Sequence, residues 1–322
     1  MFYGQPMRRL FPDRRSIREI ASAVGLLSLL AMGLSACGAA SLTTPPGVIR
    51  AVAAENQYGN VISQIGGRYV EVFSVLHNPN ADPHSFEAST QVAQEIGQAS
   101  LVVQNGLGYD SFMDNIESAS PSSSRHVIVV QHVIAAPPST TNPHFWYDLH
   151  TMALVARAIE VRLATLQPDH RAYFVQRLAT FTTSLARLQT VINQFRSTHP
   201  AVAAAVTEPV ADYLLEAMGF TIKTPVAFQN DVMNGIDPAP QDISDQNALF
   251  TAREVEVLCY NQQVIDPLTI SFQHSARTND IPIVGVYETM PTPGYNYQSW
   301  MLAEVHALIA AVDDHVSTEH LS

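Results

Sequence analysis

Two of the twelve histidines stand directly behind prolines, with an aromatic residue two places on: Asp82-Pro83-His84-Ser85-Phe86-Glu87 and Asn142-Pro143-His144-Phe145-Trp146. Proline stiffens a turn, which suits an imidazole that must be held for coordination. Two carboxylates, in Thr207-Glu208-Pro209 and Tyr287-Glu288-Thr289, follow apolar runs in the second half of the chain. Two imidazoles and two carboxylates form a donor set for a divalent first-row metal. Zinc takes nitrogen and oxygen ligands in a closed four-ligand shell, whereas manganese favours oxygen and tolerates more ligands. Two carboxylates also neutralise a 2+ ion inside a cleft, avoiding the cost of an unpaired buried charge. Taken singly, each residue suits a plainer role. His84 or His144 fits a turn histidine bonded to backbone, Glu208 a charge at a helix start, and Glu288 a solvated loop carboxylate. The other histidines fall on helices or the tail, or lack a partner pattern. Cys259, in an apolar strand, reads as a small core residue.

Those side chains need strands that end beside them. Short apolar runs at 48–54, 69–76, 101–104 and 126–130 alternate with helical patterns at 56–65 and 90–98. Such alternation gives a mostly parallel sheet covered by helices, with ligands in the loops beyond the strand ends. Asp148 caps the next helix, whose apolar positions Met152, Val155, Ile159 and Leu163 stop short of Pro168. Phe174, Leu178, Phe181, Leu185, Leu188, Ile192 and Phe195 then recur at alternating steps of four and three, one apolar stripe along a helix expected over 168–196. Such a helix either spans two lobes or forms the long core helix of one domain. After His199-Pro200 the pattern restarts, with strands at 201–206, 256–260 and 283–286, a helix at 210–218 closed by Gly219, and a last helix at 300–312. Residues 230–242, rich in Pro, Gly, Asn and Asp, read as a loop. The expected fold class is α/β with two lobes, each a mostly parallel sheet covered by helices, joined by one long helix. The first lobe takes residues 48–167, the linking helix 168–198 and the second lobe 199–322.

The segment before the first strand reads as a targeting signal. Arg8, Arg9, Arg14, Arg15 and Arg18 precede an apolar run over 23–34, too short to span a bilayer and shaped like a secretory signal. It ends in Leu34-Ser35-Ala36-Cys37, which resembles the bacterial lipobox. Residues 1–36 are therefore expected to be a lipoprotein signal peptide, Cys37 the lipidated residue and 37–47 a tether, so that the chain is extracytoplasmic and anchored to the bacterial cell membrane. An ordinary signal peptide with a chance cysteine is the alternative. The formal net charge is −12, with 17 basic and 29 acidic side chains, and the cationic footprint of a nucleic-acid binder is missing. Removal of 1–36 takes away five of those arginines together with Asp13 and Glu19, leaving −15, a field that attracts cations. With Cys37 lipidated, Cys259 has no partner for an internal disulfide.

The two proline-histidine motifs with Glu87, Trp146 and Asp148, and the long helix before a restarting α/β lobe, resemble the zinc/manganese solute-binding lipoproteins of metal-uptake ABC transporters. The resemblance runs from Val48 to the end of the chain. It implies two lobes joined by one rigid helix, with the metal between them on two ligands from each. His84 and His144 match the first two ligands, and Glu208 fits the third slot. Glu288 occupies the place usually held by aspartate, one methylene longer, with Asp280 and Asp237 as competing carboxylates. Glu87 and Asp148 are candidates to brace the ligands from behind, each equally suited to a cap or loop role. The resemblance further implies Zn2+ or Mn2+ as the transported ligand and delivery to an ABC permease and, through it, a cytoplasmic ATPase. It also implies a monomer without catalysis, and small movements of the second-lobe loops instead of wide hinge closure. No His/Asp-rich loop lies between Pro121 and Asn142, where many zinc-specific members carry one. Two other classes remain. An exported zinc hydrolase would keep an open water position, but neither an HExxH nor a GxSxG motif is present. The other is a surface adhesin whose metal only stabilises the fold.

Overall fold

The structure, a computed structural model, describes Met1 and residues 47–321. The expected signal peptide, Cys37 and nearly all of the tether lie outside the described residues. The first half lays down β1 (Ile49–Glu55), α1 (Asn56–Gly66), β2 (Val70–Leu76), α2 (Thr90–Gln98), β3 (Leu101–Gln104), α3 (Ser111–Ala119), β4 (His126–Val129) and the single turn α4 (Val130–Val133). Its sheet runs β2-β1-β3-β4, with all pairings parallel. Both faces are covered, so β1 and β3 read as near-continuous apolar runs without alternation. On α1, Tyr58, Val61, Ile62 and Ile65 fall at helical spacing and are fully buried.

Helix α5 (Leu149–Leu166) starts on Asp148, whose carboxylate accepts from the backbone N–H of His150 and Thr151. Pro168, which lacks an amide hydrogen, begins a separate 3-10 turn, after which α6 (Arg171–Thr198) runs for 28 residues, about 42 Å at 1.5 Å per residue. All seven apolar stripe residues of α6 are buried, and no other residue of that helix is. The stripe meets both halves of the chain. Phe174 lies edge-on to Tyr69 before β2, Phe181 stacks on Tyr297, and Phe195 stacks on Phe220 at 5.5 Å between ring centres.

The second half contributes β5 (Val202–Val206), α7 (Asp212–Met218), β6 (Phe220–Ile222), α8 (Val226–Met233), α9 (Pro240–Thr251), β7 (Val257–Asn261), α10 (Pro267–Thr278), β8 (Ile283–Val286) and α11 (Tyr297–Asp314). Its sheet, β6-β5-β7-β8, is again wholly parallel and repeats the order of the first. In each sheet the order reverses between the first and third strands, which opens a crevice at their carboxyl ends. Gly219 closes α7 with a left-handed φ of 92°. The α/β fold of two parallel sheets joined by one long helix thus agrees with the pattern read from the residues. The expected loop over 230–242 is shorter than that. Phe228 and Val232 anchor α8 four residues apart, and Pro240, suited to a first helical position, starts α9.

One continuous core lines α6 from Ile62 of the first half to Leu308 of the last helix. Two satellite clusters fill the outer faces of the sheets, around Ile96 and Met113 in one and Phe228, Phe250 and Phe272 in the other.

Inside the main core sits Glu304, fully buried on α11. Its Oε1 accepts from Trp300 Nε1 at 3.0 Å and from Tyr147 OH at 3.4 Å, while Oε2 has no partner. Burial pushes its carboxyl up to about 8 against the opposing effect of those two donors. A carboxyl whose folded pKa exceeds its unfolded one stabilises the fold fully below the ordinary carboxylate range, and this stability is lost as pH rises through the folded value. In Glu304→Gln the loss is absent. The stability of the variant relative to the parent should therefore rise between about pH 4.5 and about 8, by on the order of 1.4 kcal/mol per pH unit. Denaturant unfolding of both proteins across that range checks this; a constant difference would refute it.

Candidate metal centre

His84 lies on the 3-10 turn Pro83–Ser85 beyond β2. The turn is set by Asp82, whose Oδ1 accepts from His84 N at 2.8 Å. His144 repeats the device. Asn142 Oδ1 accepts from His144 N at 2.9 Å and also lies 2.8 Å from ring Nδ1, while its amide nitrogen donates to Pro209 O at 2.7 Å. The amide oxygen therefore faces the ring, which assigns the proton to Nδ1 and leaves the Nε2 lone pair for a ligand. His144 is fully buried. The His84 side chain keeps 30% exposure and lines, with Tyr109, Thr141, Pro143 and Met233, a cavity of about 490 Å³ that gives access from outside.

Glu288 comes from the opposite half, two residues past β8, and is fully buried. Its Oε2 lies 3.2 Å from His84 Nε2 and 3.3 Å from His144 Nε2, and accepts from Tyr109 OH at 2.8 Å. Its Oε1 accepts from Asn261 Nδ2 at 2.6 Å. The backbone around it is equally fixed. Gln263 Oε1 accepts from Glu288 N and Thr289 N, and Gln57 donates to Glu288 O. The Asn56 amide makes a two-way pair with the Met290 backbone, and Tyr147 OH donates to Tyr287 O at 2.9 Å and accepts from Tyr287 N at 3.2 Å. Asn56, Gln57 and Tyr147 all belong to the first half.

One donor atom from each of His84, His144 and Glu288 lies within 4.8 Å of the others. Burial alone would raise the Glu288 carboxyl, but the His144 and His84 rings beside it prevail and hold it well below the usual range. For His84 burial opposes the charged form, yet the bond to Glu288 and its charge carry the imidazole up to about 9. Glu208 stands outside this set. It lies two residues past β5 and only 3% exposed, with Oε2 3.3 Å from Asn261 Nδ2 and Oε1 without a partner. Burial first, then the Glu288 charge, push it up to about 8. An unpartnered buried carboxyl oxygen that feels the charges of Glu288 and His84 is one that a 2+ ion would satisfy.

The structure thus gathers His84, His144 and Glu288, with Glu208 joined to them through Asn261. The remaining candidates go elsewhere. Glu87 is exposed and makes none of the hydrogen bonds around the cluster, and Asp148 spends its carboxylate on the start of α5 and on Thr151 Oγ1. Asp280 pairs with Arg253 at the surface, and Asp237 is exposed. Sequence reasoning missed Tyr109, Asn142, Asn261 and Gln263. The Asx-Pro-His pattern shared by Asp82 and Asn142 was a usable signal for one of them, and the polar end of the apolar strand Val257–Asn261 a weaker signal for another.

The family described as zinc-uptake complex component A, periplasmic (ZnuA) matches residues 51–311. The manganese ABC transporter substrate-binding lipoprotein PsaA of Streptococcus pneumoniae is 21% identical over 242 residues, 70% of this chain and 76% of its own length. The metal ABC transporter substrate-binding lipoprotein FimA of Streptococcus parasanguinis is 23% identical over 184 residues, 53% of this chain and 59% of its own. The chain therefore spans little more than half the length of that relative. Among solved structures, the periplasmic zinc binding protein TroA from Treponema pallidum superimposes with a TM-score of 0.68 at 17% identity, over 84% of this chain and 100% of that one. At such identity the likeness is one of fold.

If Asn142 orients the imidazole of His144, Asn142→Ala should weaken divalent-metal affinity about 10- to 100-fold. Titration of both proteins with Zn2+ checks this, and equal affinities would remove Asn142 from the site.

Proposed function

This chain belongs to the family of periplasmic zinc-uptake components, and on that premise we propose that it captures Zn2+ or Mn2+ outside the cytoplasm for delivery to an ABC permease and its ATPase. The observation that carries the reading is the convergence of two imidazole nitrogens and one carboxylate oxygen within 4.8 Å, contributed by both halves of the chain. His84, His144 and Glu288 hold the ion, and Glu208 supplies the fourth donor through its unpartnered Oε1. The two carboxylates cancel the 2+ charge, so the loaded site is neutral in a buried crevice.

The family is one of transport components, not of enzymes. A hydrolytic zinc would also need its fourth position left to water, and here a buried glutamate stands beside it. Among the described residues no helix is long and apolar enough to cross a membrane. Attachment through lipidated Cys37 supplies the extracytoplasmic location in this reading, with lobes over 48–167 and 199–322 on either side of the 168–198 helix. The molecule acts as a monomer.

Reversible delivery needs a ligand that can let go. Glu288 is fixed by its backbone partners, whereas the Glu208 side chain is held by one 3.3 Å bond and the His84 turn faces the access cavity. Release therefore proceeds by displacement of Glu208 and His84. With α6 packed into both halves, the lobes do not rotate apart. Crystals grown with and without metal should differ in these two side chains and their loops, and a large interlobe rotation would overturn this account.

The deciding experiment is titration of chelator-treated protein with each ion. Both should bind, zinc more tightly as intrinsic affinities dictate, and His84→Ala should weaken both. An unchanged affinity in that variant would remove the site.

A further inference from the structure

Neither histidine accounts for the shortest bond to the Glu288 ligand oxygen. Tyr109, in the Gly106-Leu107-Gly108-Tyr109 loop beyond β3, donates its hydroxyl to Oε2 at 2.8 Å. The phenol is held on three sides, edge-on to His84, His144 and Trp146 at 5.5, 5.9 and 5.2 Å between ring centres. On the other side of the carboxylate, Asn261 Nδ2 holds Oε1 at 2.6 Å. A carboxylate oxygen has two in-plane lone pairs. With one on Oε2 engaged by Tyr109, the oxygen that faces both imidazoles keeps a single lone pair for an ion, while the bond from Asn261 holds Oε1 from the other side and fixes the plane of the carboxylate. Two-oxygen coordination would require the carboxylate to rotate and bring Oε1 round, straining the bonds from both Asn261 and Tyr109.

We infer that Tyr109 is a specificity-determining residue. By donating to the ligand oxygen it restricts Glu288 to one-oxygen coordination, and so favours an ion content with four ligands, such as zinc, over one that takes more oxygens, such as manganese. Without the phenol the carboxylate is free to rotate and offer both oxygens. The inference rests on the proposed metal site.

Tyr109→Phe keeps the ring contacts and removes only the donor. Titrated against Zn2+ and Mn2+, the chelator-treated variant should show its zinc-over-manganese preference reduced about tenfold relative to the parent. With Co2+ as a spectroscopic probe, the intense visible bands of a four-coordinate site should weaken toward the pale spectrum of a higher-coordinate one. Asn261→Ala, which frees the other oxygen, is the second variant should the first fail to fold, and its preference should shift in the same direction. An unchanged preference with an unchanged Co2+ spectrum, or an equal loss for both ions, would overturn the role of Tyr109. His144→Ala separates the two levels: if it binds both ions as the parent does, the metal site itself is wrong, whereas its loss of binding beside an unaltered Tyr109→Phe defeats only the inference about Tyr109.

Discussion

A buried carboxylate is tolerated only where its charge is met, and Glu288 meets its partners across the junction between the halves of the molecule. Its Oε2 is contacted by His84, His144 and Tyr109, all carried by loops of the first sheet, although the chain segment that bears it grows from the second. Leaving any such charge unmatched in a low-dielectric interior costs several kcal/mol, on the order found for buried ion pairs that lose a partner. The two halves must therefore stand at one separation and one orientation. The long helix enforces this. Its stripe packs against Tyr69 on one side of the junction and Phe220 on the other, so the span between the sheets is set by a rigid rod with both ends embedded.

Two of the polar groups of the site lie where the strand order of the second sheet reverses. Asn261 ends β7, and Glu208 follows β5, its neighbour in the sheet. Parallel strands leave their carboxyl ends in a row, so short loops there can aim polar groups at one point while the sheets themselves stay apolar. Asx-Pro-His turns do the same work on the facing side. An Asx oxygen takes the histidine backbone N–H, the proline fixes the preceding dihedral, and the imidazole is left with little freedom.

Periodicity made much of this visible in the sequence. The stripe from Phe174 to Phe195 identified α6 residue by residue because a helix buried along one face must repeat near 3.6, and seven correctly phased positions leave little room for another reading. Seven of the eight strands were legible as short apolar runs, and the three-residue edge strand β6 was not. Helix α8 was not, since only Phe228, Gln229 and Val232 are buried and the surrounding Asn, Gly and Pro carry the signal of a turn. In the site, His84, His144 and both glutamates stood out by type and local context. Tyr109 did not, because nothing local marks it, and Asn261 was marked only by the polar end of its apolar strand. Tyr109 meets Glu288 across 179 residues of chain, and a tyrosine in a glycine loop is otherwise unremarkable. The destinations of Glu87 and Asp148 were equally hidden, for a carboxylate near a ligand and a carboxylate at a helix start look the same until the backbone is in place.

The segment from Tyr287 to Met290 has a further consequence. Its peptide groups are matched by side chains of Asn56, Gln57 and Tyr147, so the rear sheet borrows part of its loop architecture from the front one. Were the halves separated by cutting the chain, these amides and carbonyls would be orphaned together with a strip of the apolar stripe. Neither fragment would be a domain in its own right, and the pair behaves as a single cooperative unit whose parts cannot be exchanged as modules.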